Sequence, residues 1–261
     1  MAVETQEIPV ESEVRPTLDP RAARLRRLAI VPAFNEAGAI ADVIAEIKGF
    51  DPKLEILVVD DGSTDGTAAV AEGSGARVLR LPYNLGIGGA VQTGYQYARE
   101  QGFELAVQID GDGQHVPSEV ARLVLPIVEG RADLVVGTRF IGPEAYRTTR
   151  MRRVGIGLFA RFVSLLVGQR VTDTTSGFRA ANRRAIILFA ADYPHDYPEV
   201  EATVLVHRHR LTMTEVPVQM RVRASGRSSI TALSSIYYMI KVTLALFVSI
   251  FRRYSTPLEE P

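Results

Sequence analysis

Short aliphatic runs alternate with segments of helical spacing along the first half of the chain. Residues 28–31, 55–59, 77–81, 105–109 and 134–136 are brief apolar stretches bounded by polar or turn-forming residues, and they read as strands. Residues 37–47, 67–72, 90–99 and 117–129 lie between them with apolar positions on a helical period, the second of these capped by Ser63 or Asp65. This alternation predicts an α/β fold, with a mostly parallel central sheet flanked by helices on both faces. Ligands of such sheets sit outside the carboxyl ends of the strands. The polar pairs Asn35 and Glu36, Asp60 and Asp61, and Asp110 and Asp112, with Asn84, all fall at those ends.

The second half has a different character. Residues 141–153 read as a loop carrying Arg147, Arg150, Arg152 and Arg153, followed by an apolar helix over 155–168 interrupted by Arg161. A strand near 214–220 leads into Arg221, Arg223 and Arg227, and a last helix runs from about 228 to 251. Within it, 242–251 is uncharged, with Lys241 before it and Arg252 and Arg253 after it. That stretch is about half of the roughly 20 residues a membrane span needs. The expectation is an amphipathic helix in a membrane interface or on a partner, with an ordinary core helix as the plainer alternative.

Composition narrows the class. A chain of 261 residues can bury one large α/β core or two small ones. With 46% hydrophobic and 23% charged residues it is globular rather than disordered. A formal net charge of zero gives no bulk attraction to nucleic acid. The absence of cysteine excludes thiol nucleophiles, disulfides and zinc–thiolate sites. Residues 1–20 are acidic and contain proline, with no apolar run, so they read as a flexible tail and not a signal peptide. Arg21, Arg24, Arg26 and Arg27 follow, either as a solvated lead-in to the first strand or as a contact for an anionic membrane surface.

The strongest chemical signal is Asp110-Gly111-Asp112-Gly113-Gln114 at the end of a predicted strand. Residues i and i+2 of an extended segment point the same way, so both carboxylates reach one site and need a counter-ion. Oxygen-rich sites suit Mg²⁺ or Mn²⁺, which also bind substrate phosphates, and Gln114 offers a third oxygen. Alone, the pattern also fits a glycine-rich surface turn. Asp60-Asp61-Gly62-Ser63-Thr64-Asp65-Gly66-Thr67 offers acceptors for base N–H groups or ribose hydroxyls, or else a cap and tight turn. The glycines of Asn84-Leu85-Gly86-Ile87-Gly88-Gly89 precede a helix, as phosphate cradles do, but lack the dinucleotide-binding spacing. His115, His195, His207 and His209 are scattered, with His207 and His209 able to share a strand face.

Together with Pro32-Ala33-Phe34-Asn35-Glu36, Gly137-Thr138-Arg139-Phe140 and Ser176-Gly177-Phe178-Arg179, these motifs resemble glycosyltransferase family 2 of the GT-A fold. The nearest subgroup is the dolichyl- or polyprenyl-phosphate sugar synthases, and the resemblance covers roughly residues 28–251. It implies a GT-A catalytic domain over 27–227, a tail over 1–26, a membrane-interface or partner-binding helix over 228–253 and a tail over 254–261.

The resemblance also implies roles. Pro32, Phe34 and Glu36 would line the nucleoside pocket, with Val59 and Asp61 beside the base. Asp110, Gly111 and Asp112 would meet the diphosphate and a Mg²⁺ or Mn²⁺ ion, with Gln114 completing the metal shell. Arg139 and Arg223 would reach phosphates. Ser176, Arg179 and Glu201 match positions near the sugar and the acceptor, and Arg147, Arg153 and Ser229 are further acceptor candidates. Asp112, Arg139, Arg179 and Glu201 are the implied catalytic set. In the mannose synthases a lysine commonly stands where this chain has Ser229, which argues against copying a mannose donor onto it.

The expected reaction is inverting transfer of a sugar from a UDP- or GDP-sugar to a polyprenyl phosphate, in cell-envelope glycan synthesis at the cytoplasmic face of the membrane. A small integral membrane partner and a homo-oligomer are compatible with it. A family 2 transferase acting on a polysaccharide or other hydroxyl, with Glu199 or Glu201 as base, is the second reading. A non-catalytic nucleotide-binding scaffold is the third.

Overall fold

A computed structural model describes residues 17–140, 150–221 and Lys241. Seven strands form one sheet in the order β3-β2-β1-β4-β6-β5-β7. They are β1 (Arg27–Ala33), β2 (Glu55–Asp60), β3 (Arg77–Arg80), β4 (Leu105–Gln108), β5 (Leu134–Thr138), β6 (Arg179–Asn182) and β7 (Met213–Pro217). All pairings are parallel except those of β6, which runs antiparallel between β4 and β5.

All seven residues of β1 are buried, as a central strand covered on both faces requires. Ala29 and Val31 face a layer formed by α1 (Ile40–Phe50) and α4 (Val120–Val128), through Ile40, Ile44, Ile47, Leu123 and Val124. Leu28 and Ile30 face the opposite layer of α3 (Gly86–Glu100), α6 (Arg183–Ala191) and α7 (Pro198–Arg208), through Val91, Tyr95, Ile186, Phe189 and Leu205. The short α2 (Thr67–Gly73) packs on α1. The expected mostly parallel α/β sheet with helices on both faces is therefore present.

The register sets where chemistry can occur. Ala33 lies beside Asp60 and Ile30 beside Gln108, so the loops after β1, β2 and β4 open on one rim. Because β6 runs the other way, its first residue, Arg179, lies opposite Gln108. The turn over residues 173–178 that precedes β6 is thereby delivered to the same rim.

Several local expectations are corrected. The four residues Arg-Ala-Ala-Asn of β6, together with α6 and α7, lie where no element was predicted. Arg150, Arg152 and Arg153 begin α5 (Arg150–Val167) and do not belong to the loop. The helix predicted over 117–129 divides into a 3-10 turn over Pro117–Glu119 and α4. His207 is in the last turn of α7 and His209 caps it, so they share no strand face. Of the basic lead-in, Arg21, Arg24 and Arg26 are exposed, as a solvated lead-in would be, whereas Arg27 is buried and forks onto Asp51.

Phe159, Val163 and Val167 of α5 pack on Val200 and Val204 of α7, while Leu158 and Leu165 are 66% and 78% exposed. Among the described residues no helix is long and apolar enough to cross a membrane. Apart from Lys241, the predicted helix over 228–251 lies outside the described residues, as do Arg147, Arg223, Ser229 and the side chain of Arg153.

Candidate active site

A cavity of about 330 Å³ opens at the common rim of β1, β2 and β4. Pro32 near the end of β1, Phe34 and Glu36 after it, Asp61 after β2, Asn84 before α3, Gly86 and Ile87 in its first turn, and Asp110, Gly111 and Asp112 after β4 line it. The sequence motifs thus converge on one concave surface. Val59, expected beside the base, is instead fully buried in the core, and Gln114, Arg139, Ser176, Arg179 and Glu201 do not line the cavity.

The loop after β1 is held by the turn after β2. Asn35 adopts a left-handed backbone (φ 55°) that asparagine tolerates. Its N–H donates to Ser63 Oγ at 2.9 Å, and its Oδ1 accepts from Thr64 N at 2.9 Å. Thr67 Oγ1 accepts from Glu36 N and Asp65 Oδ2 from Ala37 N. Ser63, Thr64, Asp65 and Thr67 therefore act as braces, and Asp61 is the member of this turn that faces the cavity. Gly62 (φ 74°) is required there, since a Cβ would come within 2.9 Å of the backbone at Tyr83 and Asn84.

Asp61 is buried, and its Oδ1 accepts from Leu85 N at 2.7 Å. Burial pushes its carboxyl above the ordinary range; the Leu85 and Gly86 amides pull the other way, and neighbouring Asp60 adds to the rise. Phe34, 46% exposed, and Ile87, 41% exposed, give the cavity an apolar rim. A carboxylate below an apolar edge suits a planar base that carries N–H donors. Two glycines of α3 serve packing: a Cβ at Gly88 would meet Pro194 O at 2.4 Å, and one at Gly94 would meet Ile30 at 2.3 Å, whereas Gly86 lines the cavity.

Asp110 and Asp112 stand together at the inner end of the cavity. Gln108 Nε2 donates to Asp110 Oδ1 at 3.3 Å. His115 supports Asp110 from below: its Nδ1 accepts from Asp110 N at 3.0 Å, and its ring stacks on Phe178 at 4.5 Å. Burial pushes the imidazole pKa down, against the upward pull of Asp110 and Asp112. With Nδ1 accepting, the neutral ring carries its proton on Nε2, 3.6 Å from Asp110 Oδ2. Gln114 donates to Asp112 from both its side chain (2.6 Å) and its backbone (3.0 Å). It thus holds Asp112 in place, with its amide nitrogen toward the carboxylate.

Among the described residues no three His, Cys, Asp or Glu side chains converge as a protein cage for a metal. Two carboxylates beside a cavity instead fit a cation that completes its shell with substrate phosphate and water, as Mg²⁺ and Mn²⁺ do.

The turn before β6 closes the inner wall. Gly177 packs so tightly on the Asp110 carboxylate that a Cβ would lie 3.3 Å from both oxygens and 2.9 Å from Gln108 Nε2. Ser176 Oγ accepts from Phe178 N, and Ser176 O accepts from Arg179 Nε at 2.9 Å. Arg179 is 1% exposed and also donates to Glu199 O at 2.6 Å, while its Nη1 is buried with no hydrogen-bond partner. Arg139 forks onto the buried Asp173 at 2.8 and 2.9 Å and reaches Thr175 Oγ1. On α7, Glu201 is half-buried, and Glu199 is electrostatically tied to Arg179 and Asp110. Burial pushes the Glu199 carboxyl up, and Arg179 opposes it.

His115, Asp173 and Glu215 hold site residues in place but carry no role in the sequence reading. His115 directly follows the Asp-Gly-Asp-Gly-Gln run and was the readable one. Asp173 and Glu215 declare themselves only through partners 34 and 43 residues away.

Comparison with known proteins agrees with this geometry. The model of Glycosyl transferase family 2 matches residues 28–200. Polyprenol monophosphomannose synthase of Mycolicibacterium smegmatis is 30% identical over 247 residues, covering 90% of this chain and 93% of its own. UDP-N-acetylglucosamine–dolichyl-phosphate N-acetylglucosaminyltransferase of Methanococcus voltae is 29% identical, covering 73% of this chain and 83% of its own. Glucosyl-3-phosphoglycerate synthase of Mycobacterium tuberculosis, crystallised with Mn²⁺, UDP and glucosyl-3-phosphoglycerate, is similar with a TM-score of 0.68 and 25% identity, covering 88% of this chain and 81% of that one.

Proposed function

Because the chain belongs to glycosyltransferase family 2, we propose that it moves a sugar from a nucleotide-sugar donor to a polyprenyl or dolichyl phosphate, with inversion at the anomeric carbon. The observation that carries this is the joining of Asp61, Asp110 and Asp112 on one cavity of nucleotide size, in a chain aligned over 90% of its length with a polyprenol phosphate mannose synthase.

Asp61 accepts from the base and Phe34 covers it. Asp110 and Asp112 would hold a Mg²⁺ or Mn²⁺ ion, whose positive charge would offset that of the diphosphate leaving group. His115, Gln108 and Gln114 keep both carboxylates aimed, so little reorganisation is needed as charge develops. A lipid phosphate is anionic near neutral pH and attacks without a base; the protein's task is to hold it in line. Arg179, buried behind Asp110, supplies fixed positive charge on that side, and Arg139, Arg147, Arg153 and Arg223 are further candidates for phosphate contact. UDP is the preferred nucleotide, supported by the UDP-bound structural neighbour. Binding at the cytoplasmic membrane face through α5 and the segment over 228–253, a small membrane partner, and a place in cell-envelope glycan synthesis complete the proposal.

One observation favours a second reading. The raised carboxyl of Glu199 beside Arg179 is what a general base for a hydroxyl acceptor needs. A competition assay separates the two. Polyprenyl phosphate is offered with a sugar or glycerate hydroxyl acceptor, and the labelled product is partitioned between butanol and water. Label in the lipid phase supports the phosphate acceptor; label only in soluble product replaces it with the hydroxyl acceptor.

A further inference from the structure

Glu215 lies on β7, the edge strand, beside Val136 of β5. Its Oε1 accepts from Thr172 N at 2.9 Å and Asp173 N at 3.0 Å, and its Oε2 from Thr172 N at 2.9 Å and Thr172 Oγ1 at 2.7 Å. One carboxylate thus satisfies two consecutive backbone amides that have no strand or helix to serve them. The same threonine hydroxyl lies 2.9 Å from Thr138 Oγ1 at the end of β5. Asp173, fixed in this way, has a fully buried side chain that takes the Arg139 fork, the Arg139 backbone N–H and Thr175. Four residues later Gly177 presses on the Asp110 carboxylate.

We propose that Glu215 is a positioning residue for the transfer reaction, acting through Thr172 and Asp173 to fix Arg139 and to seat the 173–178 turn against Asp110. The inference rests on the reading of Asp110 and Asp112 as the reaction site. Without the Glu215 carboxylate the two amides seek water, the turn loosens, and Asp173 no longer presents both oxygens to Arg139. A displacement of the order of 1 Å at a reacting centre costs roughly 10²-fold in rate. A looser turn therefore lowers kcat about tenfold or more, while the donor KM, set at the far end of the cavity by Asp61 and Phe34, changes little.

The test uses the full chain and three variants, Glu215→Ala, Asp173→Asn and the double variant, with turnover normalised to folded protein. Metal-dependent release of nucleotide from the donor is followed beside lipid transfer, so a missing lipid product would count against the acceptor assignment and not against Glu215. If Glu215 acts through Asp173, the double variant is no slower than Asp173→Asn alone, and the Arg139 Nε–H resonance, slow to exchange in the parent, exchanges rapidly in Glu215→Ala. Losses that multiply in the double variant, or an unchanged Arg139 resonance, overturn the proposal. Should Glu215→Ala not fold, Glu215→Asp carries the same test, since a carboxylate one methylene shorter cannot serve both amides. A lower melting temperature with unchanged kcat and kcat/KM per folded molecule would leave Glu215 with a structural role only and also overturn it.

Discussion

Gln114 braces Asp112: its side-chain amide donates to Oδ2 at 2.6 Å and its backbone N–H to Oδ1 at 3.0 Å. Replacing that donor with an acid sets a third carboxylate against Asp112, and like charges at this distance destabilise the site until a cation joins them. Gln114→Glu is therefore expected to melt lower than the parent without divalent metal and to gain more from saturating Mn²⁺, by about 1 kcal/mol or more. Thermal melts with and without Mn²⁺ check this. A deficit that Mn²⁺ leaves unchanged would show that position 114 is remote from the metal.

Asp61 accepts from the base most strongly when ionised, and burial raises its pKa. Nucleotide affinity should fall, as pH is lowered through that raised pKa, earlier than for an ordinary carboxylate. The sign for folding is opposite: a raised carboxyl pKa gives stability that is present at low pH and lost as pH rises through the folded value. Titrating UDP calorimetrically between neutral and acid pH gives the profile, and Asp61→Asn should bind more weakly at neutral pH and flatten it. An acid limb that survives in Asp61→Asn belongs to another group.

Gly177→Ala puts a methyl 3.3 Å from both Asp110 oxygens and 2.9 Å from Gln108 Nε2. Crowding of this kind costs roughly 1–3 kcal/mol where neighbours must shift. The metal concentration for half-maximal activity should rise about tenfold, at unchanged affinity for the free nucleoside. Metal titration of the variant's activity reads this directly, and an unaltered metal requirement would place the ion away from Asp110.

Leu158 and Leu165 protrude from α5 while Phe159, Val163 and Val167 pack inward. Charges at the exposed positions should leave stability within about 0.5 kcal/mol. If this face meets lipid, Leu158→Asp with Leu165→Asp lowers flotation with anionic vesicles severalfold. Equal flotation of parent and variant would move the membrane contact elsewhere.

Much of this site was readable because its residues sit in continuous motifs. The runs at 32–36, 60–67 and 110–114 each end a strand that its aliphatic residues announce, and parallel register then brings the three together. β6 was hidden for a physical reason: Arg-Ala-Ala-Asn offers neither an aliphatic run nor alternation, and it becomes a strand only because β4 and β5 flank it. The first turn of α3 was obscured by Gly86, Gly88 and Gly89, of which Gly88 packs closely on Pro194 and His195, far away in sequence. The contact that fixes Arg139 was unreadable because Asp173 lies 34 residues away, and spacing reveals which residues share a loop but not which carboxylate holds which cation.

The central claim is that Asp110 and Asp112 carry metal-dependent sugar transfer from a nucleotide donor to a lipid phosphate. The measurement is lipid-linked sugar formed from detergent-dispersed polyprenyl phosphate and a panel of UDP- and GDP-sugars with Mg²⁺ or Mn²⁺, for the parent and for Asp112→Asn. The account predicts product with one donor, abolished by chelation and reduced on the order of 10²-fold or more in the variant. Product formed equally by Asp112→Asn, or undiminished by chelator, would contradict it.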